Sequence, residues 1–320
     1  IGGVGFKPDF TWIKRRSMTG YHMLFDAVRG SDKELYTNDT SAEATDANTL
    51  YRFDTDGFTL GADTDANRDG ETFVAWNWDM GGTTSTDHTQ SNLTSVYRAN
   101  TTYGQSVVTY TGDGAAGQGF AHGLGASPHF WMIKNRTDAS DWYVYHQSLG
   151  NTKALNLNSS AAAATSAAWA NYGPVSNAIT VNAAGGTNTS GKNYVAYVFE
   201  EKTGYSKIGS YTGNGSTTGT TVTLGFRPAW LLIKSSTVAD SWFIMDTTRT
   251  PDTTINTYLE ANTSSDESST TNANIDISDT GFQLKTSHNA FNGNGETYIY
   301  MAFADKREYA YWLDQSGNNN

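Results

Sequence analysis

The string Asp63-Thr-Asp65-Ala-Asn67-Arg-Asp69-Gly70 has the most metal-like spacing in this sequence. Oxygen-bearing side chains at Asp63, Asp65, Asn67 and Asp69 alternate and run into a glycine. The first half of a calcium loop is built this way, with alternate oxygens wrapping the ion. The second half departs from that pattern, because the position of the closing bidentate glutamate is Trp76, inside a predicted strand. The corresponding stretches further on, "NTSGKN" and "FNGNGET", lack the carboxylates. A calcium site completed by Asp63 or a distant carboxylate therefore stands beside a plain polar hairpin turn.

A second spacing recurs. Asp26 with Arg29 returns as Asp246 with Arg249, while His146 and Leu149 hold the matching places between them. Opposite charges three apart at a strand end predict a salt bridge; catalysis would need a base or nucleophile beside them, and none repeats. Glycoside hydrolysis requires two carboxyl groups about 5–9.5 Å apart. Glu71, Glu296 and the Glu200–Glu201 pair fall in turns or strand ends of different segments. The six histidines have no metal-ligand spacing, and neither a nucleophile elbow nor a phosphate loop is present. These patterns point away from an enzyme. The nine Trp and eighteen Tyr offer rings for stacking on sugars, but most lie inside strand patterns that predict core packing. Tyr103, Trp169, Tyr172 and Tyr205 are the expected exposed exceptions; Trp169, Tyr172 and Tyr205 form the candidate glycan-stacking set.

The elements that must position these residues come in three copies. "GFKPDFTWIK" at 5–14, "GASPHFWMIK" at 125–134 and "GFRPAWLLIK" at 225–234 each lead through a proline into an apolar run ending in Ile-Lys. Twelve residues after Lys14, Lys134 and Lys234 stand Asp26, His146 and Asp246, in "HMLFD", "WYVYH" and "WFIMD". "GETFVAWNW" from Gly70, "GKNYVAYVF" from Gly191 and "GETYIYMAF" from Gly295 follow, 56, 57 and 61 residues after those lysines. Constant order and near-constant spacing are the signature of an internal repeat. The opening run is apolar at nearly every position, which predicts a central strand covered on both faces, with the proline at its entrance. In the closing runs Val74, Trp76 and Trp78 share one strand face, as do Val195, Tyr197 and Phe199, then Ile299, Met301 and Phe303; each trio is expected on a core. "DGFTL" at 56–60, "NAITV" at 177–181 and "TGFQL" at 280–284 read as further short strands. The Ala-rich stretch 159–170 reads as a loop or short helix. "SVVTYTG" and "SKIGSYTG" form matching lead-in strands before the second and third copies, and the first copy lacks one.

About seven short strands per hundred residues predict an all-β chain of three tandem antiparallel β-sandwich (jelly-roll-like) domains. The expected boundaries are 1–103, with its N-terminal side truncated, 104–203 and 204–305, with 306–320 leading to a further domain. Ile1 in place of an initiator Met and the abrupt "DQSGNNN" are expected of a piece of a longer chain. Apolar residues are 37% and aromatics 13%, enough for real cores. The net charge of -11 argues against nucleic acid, whose phosphates would be repelled, and against charge-driven membrane docking. No stretch reaches the roughly 18 apolar residues of a spanning helix. With no cysteine, neither a disulfide nor a thiolate metal site is available.

On the words "GFKPDFTWIKRRS", "HMLFDAVRG", "LYTND", "DGFTLG" and "GETFVAWNW", the chain resembles the repeat region of virion tail-fibre or appendage proteins of tailed bacteriophages, especially marine ones. The later copies keep the framework but lose the Val-Arg-Gly and Thr-Leu-Gly details. "YWLDQSGNNN" at 311–320 resembles the opening of the lectin-like (laminin-G or concanavalin-like) domain that often follows such repeats. The resemblance implies a non-enzymatic structural protein on the virion exterior, as tail fibre, appendage or capsid decoration. Its partners would be other virion proteins or copies of itself, a trimer among them. A carbohydrate-binding adhesin module, viral or bacterial, remains the alternative, with a host-surface glycan as ligand and calcium as the one cofactor to consider. A polysaccharide-degrading enzyme ranks third.

Overall fold

A computed structural model describes residues 1–87, 91–183 and 186–305. The tail 306–320, with its expected link to a lectin-like domain, lies outside the described residues. Strands dominate, and the strand pairings of the described residues are antiparallel, beside one isolated parallel bridge between Leu93 and Phe120.

The proline-led runs form the opening strands Phe10–Arg15, Phe130–Asn135 and Trp230–Ser235, all six residues of each being buried. Each lies between a return strand (His22–Asp26, Trp142–His146 or Trp242–Asp246) and a closing strand (Phe73–Trp78, Asn193–Phe199 or Thr297–Phe303). Ladder bonding starts immediately after each proline: Asp9, His129 and Ala229 donate their N–H to the carbonyls of Trp78, Phe199 and Phe303. The proline, which has no N–H, therefore costs the sheet nothing. Gly70, Gly191 and Gly295, before the closing strands, all have φ between +71° and +78°, a left-handed turn that a side chain would strain.

The described chain falls into two compact units. The first holds Ile1–Glu200 together with Glu260–Glu267, and the second Glu201–Leu259 with the described residues from Ser268 on. Two of the three expected domains thus share one unit. The 103/104 boundary falls in the turn of a hairpin: Ser95–Asn100 pairs along its length with the lead-in strand Gln105–Thr111. That hairpin belongs to an eight-stranded sheet with the opening, return and closing strands of the second repeat. The first repeat has a five-stranded sheet that ends at its closing strand.

Each repeat keeps its own apolar cluster on one face of its sheet. Ile13, Met23, Phe25, Leu50 and Phe58 form that of the first repeat; Ile133, Tyr145, Trp169, Tyr194 and Val198 are among those of the second. In both, a small second layer closes the sandwich: Leu50–Asp54 with Gly57–Leu60, and Ala116–Ala121 with Ala178–Asn182. The Ala-rich segment is a loop carrying the two-residue strand Ala164–Thr165.

The closing-strand trios do share a face, but these clusters use the other one. Phe73 and Ala75 pack on the first cluster; Tyr194, Ala196 and Val198 belong to the second. Trp76 and Trp78 instead join Phe10 and Trp12 in an aromatic layer shared by the two repeats, in which Phe10 lies 4.3 Å from Tyr197 and Trp78 6.4 Å from Phe199. Burying each such ring contributes roughly 1.5–3 kcal/mol, so the shared layer is a second core.

The second unit repeats the sandwich. A six-stranded sheet runs from the lead-in strand Ser206–Thr212 through the closing, opening and return strands to Thr257–Glu260 and Ser268–Ser269. A four-stranded sheet of Thr221–Thr223, Gly281–Leu284, Ile275–Ser278 and Thr254–Ile255 covers it. Phe243, Met245, Ile275, Phe282 and Tyr300 are among the side chains packed between them. The tyrosine of each Tyr-Thr-Gly lead-in does the same job in both units. Tyr211 stacks 5.0 Å from Tyr298 and donates to Phe291 O at 2.7 Å; Tyr110 stacks 5.0 Å from Tyr194 and donates to Thr187 O at 2.6 Å.

Candidate functional site

The densest arrangement of functional groups is at the corner after the first return strand. Asp26 ends that strand, and its Oδ1 accepts the N–H groups of Val28 and Arg29 at 3.0 and 2.8 Å. Those bonds tighten the turn and bring Arg29 back over the carboxylate, Nε to Oδ2, at 2.5 Å. The guanidinium then donates to Leu24 O at 2.9 Å, Tyr197 Oη at 3.0 Å and Glu43 Oε2 at 3.0 Å. Tyr197 Oη itself donates to Asp26 Oδ2 at 2.7 Å. Glu43 also receives Arg136 through two bonds of 2.8 Å. The Asp26 and Arg29 side chains have no solvent exposure. One chain of charges thus runs from the first repeat, through Glu43, to Arg136 of the second.

This corner is built to hold charge. Burial works against the Arg29 cation, but Asp26, Tyr197 and Glu43 outweigh it and raise its pKa above the ordinary value. Burial opposes the Glu43 charge as well, yet the two arginines keep its pKa below the usual carboxylate range. Burial pushes the Tyr197 phenol well up. Arg29, Glu43 and Tyr197 are thus each shifted further from neutral pH. The expected Asp26–Arg29 salt bridge is present, and Asp246–Arg249 repeats it at 2.5 Å.

Glu43 clasps its neighbour with the backbone too: its N–H donates to Arg136 O, and Thr40 O accepts from Ser140 N–H. A second clasp of the same form lies in this unit. Glu267 donates its N–H to Arg16 O and binds the Arg16 guanidinium at 2.8–2.9 Å, while Ser264 O accepts from Gly20 N–H.

The three repeat lysines form the other notable set. Lys14, Lys134 and Lys234 are wholly buried. Their Nζ atoms donate to the next residue's carbonyl, at 2.7, 3.1 and 2.6 Å, and Lys134 also reaches Thr40 O at 3.0 Å. Burial pulls each amine down to about 8.

The calcium-like string contains a short helical turn. Thr64–Asn67 is a helical turn with Asp63 as its N-cap, Oδ1 accepting Asp65 N–H at 2.7 Å. Asn67 donates to Gly61 O at 2.8 Å, and Asp65 lies 3.9 Å from Arg15. Asp69 lies beyond its C-cap, Arg68. Among the described residues no group of three or more His, Asp or Glu is placed to hold a metal.

The aromatic candidates separate. Trp169 is fully buried, which corrects its expected exposure. Its indole N–H donates to Lys153 O at 3.0 Å, and its ring meets Trp131 and Tyr145 edge-on at 5.3 and 5.9 Å. Ala168 beside it is buried in the same cluster. Tyr205 is half-buried against Phe303, 5.6 Å between ring centres, and Tyr103 is half-buried as well. Tyr172 alone of the set is open, at 64% exposure. These residues do not form one platform.

The sequence pattern placed Tyr197 on a core but not its polar role, and it marked neither Glu43, Arg136 nor the buried state of the lysines. The lysines carried a usable signal, since a charge closing the same apolar run three times is unlike a solvated surface residue. Glu43 and Glu267 also sit in matching Thr-Ser-rich loops, "TSAEATDANTL" and "TSSDESSTTNA". Nothing local marks the polar role of Tyr197, whose partners are 168 and 171 residues away.

No curated protein and no solved structure matches this chain. Residues 1–307 match a protein family described as a domain of unknown function, DUF7483, so the chain belongs to that family.

Proposed function

We propose that this chain is a non-enzymatic structural protein on the exterior of a tailed-phage particle, a tail-fibre or appendage component or a capsid decoration, packed against other virion proteins or copies of itself. The observation that carries this reading is the chain Asp26–Arg29–Glu43–Arg136, fully buried at Asp26 and Arg29 and partly exposed at Glu43 and Arg136. The residues whose recurrence first suggested chemistry are consumed in joining two repeats. Breaking such a buried pair is costly, which suits a module that must resist load. The motif resemblance to appendage repeats supplies the location, and the mechanism needs no cofactor. Antibody-gold labelling of intact purified particles tests it: label is expected on tails, fibres or capsid. Unlabelled particles, with signal on cells instead, overturn it.

One observation favours glycan binding as a second reading. Tyr172 follows two non-glycine residues in the left-handed region, Ala170 at φ 50° and Asn171 at φ 61°. Such strain persists where surrounding structure imposes it, and it gathers at ligand sites. Trp169 O accepts Tyr172 N–H at 3.0 Å, Asn151 donates to Asn171 O at 2.5 Å, and the ring lies over Gly117. This presents a preorganised aromatic face beside amides, as a sugar ring requires. Tyr172→Ala is expected to abolish retention on host-surface polysaccharide. Unchanged retention removes this reading.

A further inference from the structure

The closing strand of the first repeat is the one closing strand that borders its sheet among the described residues. Asn193–Phe199 is flanked by its opening strand and by the lead-in Gln105–Thr111; Thr297–Phe303 by its opening strand and by Ser206–Thr212. Phe73–Trp78 has its opening strand on one side and, among the described residues, no strand on the other.

Backbone direction identifies which groups face that open side. Trp78 O and Thr72 O accept from Asp9 and Arg16, so the even-numbered residues bond inward. Alternation along a strand turns the N–H and C=O groups of Phe73, Ala75 and Asn77 outward. In the third repeat the residues of that phase bond the lead-in strand: Ala304 N–H donates to Tyr205 O, and Glu296 O accepts from Gly213 N–H. In the first repeat the Asn77 side-chain amide folds back onto Ala75 O at 3.2 Å, a local substitute for an absent ladder bond.

Packing shows the same gap independently. Tyr194, Ala196 and Val198, and likewise Tyr298, Tyr300 and Ala302, are buried, whereas Phe73, Ala75 and Asn77 at the same places are half-exposed. Tyr110 and Tyr211 of the lead-in strands belong to the clusters of their repeats, and the first cluster has no counterpart. An unpaired edge with a partly open core beside it is a template for strand addition.

We propose that the outer edge of Phe73–Trp78 is a docking edge for one extended peptide segment of the lead-in type. The segment runs antiparallel, about seven residues long, as Gln105–Thr111 does on Asn193–Phe199. It carries an aliphatic residue and a tyrosine at the places of Val108 and Tyr110, which enter the open core, and ends in Thr-Gly. The occupant is an extended segment rather than a second folded copy, because both lead-in strands of this chain are already paired within their own sheets.

The test adds the synthetic peptide Gln-Ser-Val-Val-Thr-Tyr-Thr-Gly, the sequence of Gln105–Gly112, to the full chain and follows amide hydrogen exchange. Saturating peptide is expected to slow exchange at Phe73, Ala75 and Asn77 by about tenfold or more, with the opening strands unchanged. The same peptide N-methylated on its bonding edge, or scrambled, is expected to give no protection. Ala75→Pro removes one outward N–H at an edge position where proline is tolerated, and is expected to abolish protection. Absence of protection with the unmodified peptide overturns the proposal, as does protection that survives N-methylation. Concentration-dependent self-association that protects these amides without peptide also overturns it, since the occupant would then be a second copy.

Discussion

The corner after the return strand is solved differently in the first and second repeats, although both lie in one compact unit. In the first, Asp26 accepts two backbone N–H groups and binds Arg29, which reaches Glu43 and Tyr197. In the second, His146 Nδ1 accepts Ser148 N–H at 3.1 Å, and Leu149 stands where the arginine would be. What both keep is an acceptor that closes the turn. The cation is kept in the first and third repeats, and in the first it also serves a contact between repeats. A repeated motif therefore contains one part that makes the local fold and another that is free to specialise.

The largest expected effect tests that division directly. Arg29→Ala leaves Asp26 and Glu43 without their buried cation and should destabilise the unit by about 3–5 kcal/mol in denaturant unfolding. Installing the second repeat's solution, Asp26→His with Arg29→Leu, keeps a turn acceptor and removes the buried charge pair together. It should cost clearly less than Arg29→Ala alone. An equal or greater cost would mean that the ion pair, and not the acceptor, makes the corner.

A smaller effect concerns a feature both repeats share. Lys14 and Lys134 have folded pKa values of about 8, against the ordinary 10.5. Below pH 8 both states hold the proton and the burial cost is fully present. Between pH 8 and 10.5 the unfolded chain binds more protons, so stability rises with pH and levels off above that range. The rise should be on the order of 3 kcal/mol per lysine, and Lys14→Met or Lys134→Met should each flatten it by one such share. A pH profile unchanged by either variant would place the amines in water.

The smallest expected effect is that of Tyr172, set against its loop neighbour Trp169. Tyr172→Ala should change stability by less than about 0.5 kcal/mol, whereas Trp169→Ala should cost about 3–5 kcal/mol. Comparable losses would show that the exposed ring also supports the core.

The repeat and its strands were legible because they are written in local pattern. Proline before an apolar run, glycine before a closing strand and alternation along that strand each constrain the backbone within a few residues. The Asp26–Arg29 pair was legible for the same reason, three residues apart at a strand end. The face used by the closing strands was half legible: alternation predicted which residues act together, but both faces are apolar, so pattern could not say which one meets the repeat's own second layer. The site residues were the least legible. Asp63, Asp65, Asn67 and Asp69 have the composition of an ion loop, and a short helical turn with an Asp63 cap won because capping satisfies backbone groups locally. Trp169 lay in a stretch that looked like a surface loop, yet a large ring flanked by alanines is free to turn inward.

By itself, then, the sequence determined an all-β chain with three copies of one strand framework, since backbone preference and hydrophobic period act over short distances. Only the tertiary structure decided that Glu43 meets both Arg29 and Arg136, that three lysines are buried, and that one closing strand borders its sheet among the described residues. Those outcomes depend on which groups far apart in sequence arrive at the same place, and on desolvation there, quantities that no local pattern encodes.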